Sequence, residues 1–172
     1  MTRTIIAAAA ALLAFAPLSQ ALAQTEASPL AAPGSVVLDA GQGVNLVSGE
    51  RVTVTVDAMG AVSITKIEKL GWNAVAPGPG GSSGVASTAE PGTIVYSLQG
   101  PVFKVENGLS TAINYSATAR LDIRGQEMTQ AVKTCTVTPG RAGFEMWSAG
   151  VTVASMVVGI PVAHNGAPGC AS

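Results

Sequence analysis

From Ile113 to Arg124 the chain alternates without a break. Ile113, Tyr115, Ala117, Ala119, Leu121 and Ile123 share one parity. Asn114, Ser116, Thr118, Arg120, Asp122 and Arg124 share the other, and none of these is apolar. A period of two marks a strand with one buried and one wet face. At about 3.3 Å per residue this strand would reach about 40 Å, so it is expected to bend or to cross between two sheets.

The same pattern recurs on both sides of it. In ERVTVTVD (50–57), Val52, Val54 and Val56 alternate with Arg51, Thr53, Thr55 and Asp57. Ala58-Met59-Gly60 then turns the chain into VSITKIEKL, where Val62 and Ile64 are in phase but Ile67 has the wrong parity. A bulge near Lys66 would restore the register. Further strand-like runs are Val36–Leu38, TIVYSLQ (93–99), VFKVE (102–106), EMTQAVKTCTV (127–137), FEMWS (144–148) and VTVASMVVGIPVA (151–163). Asn107-Gly108 between two such runs is the strongest short-range hairpin signal a sequence carries. Gly125-Gln126 and PGRAG (139–143) read as further turns. The segment 77–92, PGPGGSSGVASTAEPG, has three prolines, five glycines and one large apolar residue, Val85. It reads as a long loop, either disordered or functional.

Eight to ten strands with short turns and no convincing helix predict an all-β chain, an antiparallel β-sandwich that is immunoglobulin-like in general architecture. An outer-membrane barrel also alternates, but it needs aromatic girdles, and the chain has only seven aromatic residues.

The N-terminus adds a location. Arg3 is followed by an unbroken apolar run from Ile5 to Phe15, then Pro17, then Ala21-Leu22-Ala23. This is the layout of a secretory signal peptide, too short to span a bilayer. The expected organisation is a signal peptide at 1–23, a flexible leader at 24–34 and a single sandwich domain at 35–172. Cleavage after Ala23 would start the mature chain at Gln24 and place it outside the cytoplasm, in the periplasm or secreted. Without Arg3, eight Lys and Arg stand against ten Asp and Glu. No basic patch stands out, which argues against a nucleic-acid partner. The apolar run from Gly150 to Ala163 is too short for a membrane helix.

Candidate chemistry is sparse. Two cysteines, Cys135 and Cys170, in an exported chain are expected to form a disulfide that ties the tail to the sandwich. A metal site from Cys135, His164 and Cys170 would lack a fourth ligand and closely spaced pairs. His164 reads as a solvent-facing loop residue. Gly80-Gly81-Ser82-Ser83-Gly84 matches G-x-S-x-G, and Ser82, Asp122 and His164 stand in the chain order of a hydrolase triad. That chemistry needs a strand-to-helix turn, and no helix follows. Asp122 and Glu127 flank a turn, which raises a glycosidase pair, but Arg120 and Arg124 beside them favour a surface charge cluster. Asn114-Tyr115-Ser116 is a glycosylation sequon.

If Phe144 and Met146 face the core, Trp147 faces out. Exposed aromatics stack on sugars or dock partners; the plainer alternative puts Trp72, Trp147 or both in the core. The candidate contact surface is therefore Trp147 with Arg120, Asp122 and Arg124. No catalytic, cofactor or metal residues are expected. The reading is a non-enzymatic extracytoplasmic module that binds a protein or glycan partner or forms part of an envelope assembly. A pilin-like, self-assembling subunit and a small hydrolase with a site in 77–92 are the alternatives.

Overall fold

The computed structural model describes residues 34–72, 74–75 and 81–170. The expected signal peptide, its expected cleavage point and most of the expected leader lie outside the described residues. The described residues belong to one compact unit, Pro33–Ser172.

The chain is all-β and antiparallel. Its strands are β1 (Val36–Val37), β2 (Gly43–Val47), β3 (Glu50–Val56), β4 (Val62–Lys69), β5 (Gly81–Ala86), β6 (Ile94–Gln99), β7 (Val102–Asn107), β8 (Ala112–Asn114), β9 (Ala117–Ile123), β10 (Gln126–Val132), β11 (Arg141–Met146), β12 (Val151–Gly159) and β13 (Val162–His164). One sheet has the order β1-β2-β12-β9-β10, the other β4-β3-β6-β7-β11-β5, and β8 pairs with β13 in a two-stranded ribbon. The two large sheets form a sandwich. Its core joins Val44 and Leu46 of β2, Val52 and Val54 of β3, Tyr96 and Leu98 of β6, Phe103 and Val105 of β7, Ala119 and Leu121 of β9, and Val153 and Met156 of β12. These positions alternate with wet ones along each strand, so each sheet buries one face.

The long alternating run does bend. Ile113 to Leu121 keeps its buried parity throughout, yet the run divides into β8 and β9 at Tyr115-Ser116. Its neighbour β12 leaves the five-stranded sheet at the same level, and Pro161 separates it from β13. The two chains then pair again as β8 and β13. At the bend Gly159 donates its N–H to the Ser116 carbonyl at 2.9 Å. A Cβ there would lie 2.4 Å from Ser116 Oγ, so the close approach requires glycine.

The expected bulge is present. Thr53 pairs with Lys66 and Val54 with Ile64, which leaves Thr65 as the extra residue. Ile67 is thereby brought opposite Val52, although it stays 44% exposed at the sheet's edge.

Three expectations are corrected. Asn107-Gly108 does not make a hairpin, because β7 and β8 belong to different sheets. Asn107 is fully buried at that crossing. Its side-chain amide donates to the Thr111 and Val137 carbonyls, and its Oδ1 accepts from Leu109 N–H. Gly108 sits against the Glu90 carbonyl, where a Cβ would come within 2.3 Å. The segment 77–92 is not wholly loop: Gly81–Ala86 is a strand that pairs with β11. Backbone groups along an unpaired sheet edge need partners, and a Gly/Ser-rich run can supply them with no apolar pattern to reveal it. Finally, the run 127–137 is a strand only to Val132. Cys135 and Val137 make isolated bridges to Cys170 and Ile113 instead.

Candidate functional site

Arg120 and Asp122 lie on the outward parity of β9, away from the core. Arg120 is salt-bridged to Glu127 of β10 at 2.5 Å. Asp122, paired across the hairpin with Glu127, accepts from Gly125 N–H at 2.7 Å. Ile123 pairs with Gln126, so Arg124 and Gly125 form a two-residue turn with φ of 56° and 82°. This is the charge cluster of a well-capped hairpin.

Trp147 does not share that surface. Along β11 the expected polarity is reversed. Phe144 is buried, but in a separate small cluster with Val75, Val102 and Ala142, against which Leu70 packs. Met146 is 47% exposed, and Trp147 is partly buried against the main core. Trp72 is 93% exposed. The contact patch expected from the sequence is thus split between the outer face of β9 and the interior side of β11.

What sequence reasoning missed lies beside Trp147. Glu145 pairs across the sheet with Phe103, a fully buried core residue, and so points to the interior side of the six-stranded sheet. It sits half-buried in an open cleft whose other walls are Gln130, Ala131, Val132, Lys133, Met146 and Trp147. No hydrogen bond or salt bridge engages its carboxylate among the described residues. Burial without a partner pushes its pKa up to about 7. Tyr115 is raised as well, first by its own burial and then by the charge on Glu145. Phe103, the cross-strand neighbour of Glu145, stands between Tyr115, 6.1 Å away edge-on, and Tyr96, stacked at 6.2 Å, in an aromatic row of the core. Only the neighbouring register of β7 and β11 reveals Glu145, and a single strand's alternation does not carry that information.

The other buried carboxylates are partnered. Glu106 receives Thr88 N–H and Oγ1–H and is bridged by Arg51 and Lys104. Burial raises its pKa, but these bonds outweigh burial and the net shift is downward. Glu50 behaves the same way with Lys69 and Ser35. In these two sites the carboxylate ties strands and the 87–93 segment together and is committed to structure.

Cys135 and Cys170 are disulfide-bonded, with a separation of 35 residues in sequence. Beside the bond, His164 lies at the end of β13 and is more engaged than a loop residue would be. Its Nδ1 faces Asn114 Nδ2 at 3.0 Å and its Nε2 faces the Ala167 carbonyl at 3.0 Å. An Nε2–H tautomer satisfies both contacts. Thr136 Oγ1 lies 2.7 Å from Asn114 Oδ1 and 3.0 Å from the Gly169 carbonyl. The sequon asparagine is part of this latch on the tail. Ser82, Asp122 and His164 sit on strands of three different sheets, and Asp122 accepts from Gly125 N–H while both ring nitrogens of His164 face Asn114 and Ala167, so Asp122 does not orient His164 as a triad would require. Among the described residues no three His, Cys, Asp or Glu side chains gather as a metal site would require, and no helix is long and apolar enough to cross a membrane.

No family model matches the chain, and neither does any curated protein or solved structure.

Proposed function

We propose that the chain is a non-enzymatic, extracytoplasmic β-sandwich that binds a partner at the cleft between β10 and β11. The observation that carries this reading is Glu145. An unpaired carboxylate half-removed from water opposes folding, and such groups concentrate where a protein's surface serves something other than its own stability. The Trp147 indole on one wall and the exposed, inward-facing Gln130 of β10 on the other give the cleft a contact surface suited to a partner. The Cys135–Cys170 disulfide supports an oxidising location, in keeping with the signal-like N-terminus.

A photo-crosslinking amino acid at Gln130, which is exposed on the inward face of β10 and lines the cleft, tests the reading in the producing cell. A discrete adduct with a different molecule supports it, provided that the same probe at the outward-facing Ser63 of β4 gives none. An adduct with a second copy of the chain would support the self-assembling alternative, and no adduct at either position would overturn partner binding at the cleft.

A further inference from the structure

The two sheets of the sandwich do not match in number. β1 lies against β4, β2 against β3 and β6, and β12 against β6. Following each sheet's order outward sets β9 over β7 and β10 over β11. The cleft walled jointly by β10 and β11 agrees with that alignment. The six-stranded sheet continues to β5, and among the described residues the five-stranded sheet has no strand to set over it.

The exposure of β10 shows the same vacancy. Gln126, Met128, Gln130 and Val132 pair with Ile123, Leu121, Ala119 and Ala117, so they share the inward face of the sheet. On β9 that face is closed: Leu121 is 2% exposed and Ala119 0%. On β10 Met128 is 48% exposed, Gln126 and Gln130 are exposed, and Val132 is half-buried. The free edge of β10 carries none of the features that normally discourage pairing. It has no proline, no lysine and no bulge over its seven residues, and its one charge, Glu127, is already held by Arg120.

A second copy cannot use this edge in the simplest way. Edge-to-edge pairing of β10 with its symmetry mate would put the mate's β11 in the place that β5 already occupies. The overhang of β5 therefore bars a whole second sandwich and leaves room for a single extended strand.

Resting on the partner-binding reading above, we infer that the vacant position beside β10 receives an extended segment of a partner protein, added as a sixth strand, with one basic side chain directed to Glu145. Main-chain pairing with β10 supplies the register, and alternate side chains of the segment point into the cleft. Glu145 gives the cleft an uncompensated negative group, and the Trp147 ring offers a face to a cation. Lys133, on the cleft wall, disfavours a second positive charge. The segment is thus extended, apolar at alternate positions, and singly basic where it faces inward.

Three short synthetic peptides that alternate threonine and valine, with a central lysine, norleucine or glutamate, test this on the full mature protein. In a Trp72→Phe background Trp147 is the remaining tryptophan and reports binding by fluorescence. Hydrogen exchange reports pairing. The lysine peptide is expected to bind about tenfold more tightly than the glutamate peptide. It should also slow exchange at alternate amides of Gln126–Val132. Glu145→Gln should bring the lysine and glutamate affinities together while leaving the exchange protection in place. Failure of all three peptides to bind, or binding without protection of β10, would overturn strand addition. Equal affinities in the parent protein would overturn the role of Glu145. A foreign crosslink at Gln130 together with peptide failure would leave partner binding standing and reject the strand, whereas absence of both would reject both.

Discussion

Replacing Glu145 with glutamine should make the protein more stable at neutral pH, and the gain should vanish in mild acid. The unfolded carboxyl titrates near 4.5 and the folded one near 7. Between those values the folded chain holds a proton that the unfolded chain has released. Stability from this group is therefore full below about pH 4.5, declines as pH rises, and is lost above about pH 7. A tenfold change in proton affinity corresponds to about 1.4 kcal/mol, so the whole difference between folded and unfolded carboxyl would be about 3 kcal/mol. The cleft is open on one side, and solvent screening reduces this to about 1–2 kcal/mol. Glutamine keeps the shape and cannot ionise. For a domain of this size the gain amounts to a rise in Tm of about 3–6 °C at pH 8, and close to nothing at pH 4.5. Glu50 and Glu106 have lowered values in the fold. Their stabilisation is present above about pH 4.5 and is lost as pH falls through their folded values, equally in parent and variant, so it cancels in the difference. Thermal unfolding of both proteins by circular dichroism from pH 4.5 to 8 measures that difference directly. A variant no more stable than the parent at pH 8, or an offset that does not change with pH, would refute the account of Glu145 as a strained, unpaired group.

Other expectations are simpler. Leu121→Asp should cost several kcal/mol in chemical denaturation, because it buries an unpartnered charge at a 2% exposed site; Asp122→Leu, on the outward face, should stay near about 1 kcal/mol, the loss of one turn cap. Tyr96→Phe should hold or raise the melting temperature, since the Tyr96 hydroxyl is buried with no hydrogen-bond partner and its removal relieves about 1 kcal/mol; a large loss would show that the hydroxyl is bonded. Cys170→Ser and Cys135→Ser should each cost about 4 kcal/mol by loop-closure entropy, and the double variant no more than either alone. Replacing 77–92 by a short Gly/Ser link should be clearly destabilising in the same assay, because it removes β5 from β11 and Thr88 from the buried Glu106; an unchanged midpoint would mean that β5 contributes little in solution.

Period-two alternation exposes the parts of the fold whose side chains carry it. The two faces of β3 and β9 are readable residue by residue, and the misplaced Ile67 locates the bulge to within one position. The bend of the long run is also foreseeable from its length. Elements held by backbone are not readable: β5 has glycines and serines where a pattern would need valines, and it exists because β11 has an edge to satisfy. Asn107-Gly108 carries turn chemistry, but that chemistry serves a crossing between sheets, since Asn107 is spent on the Thr111 and Val137 carbonyls. Trp147 defeats the parity argument because Phe144 is buried on the outer side of its sheet, beneath Leu70 and Val75. A strand with apolar residues on both faces gives parity no way to say which face is the interior. The same ambiguity hides Glu145, whose significance comes from Phe103 beside it and Val132 across from it.

The disulfide has a further consequence, one of timing. Cys170 follows every strand of the described fold, while Cys135 lies before β11, β12 and β13. The bond cannot close until all the strands have been made. A chain interrupted between His164 and Cys170 would hold every described strand and still carry a lone thiol at Cys135. In an oxidising compartment such a thiol is open to mixed disulfides with oxidoreductases or other chains. Closure of this bond therefore records that synthesis has passed the last described strand, and an unpaired Cys135 marks the molecules in which it has not.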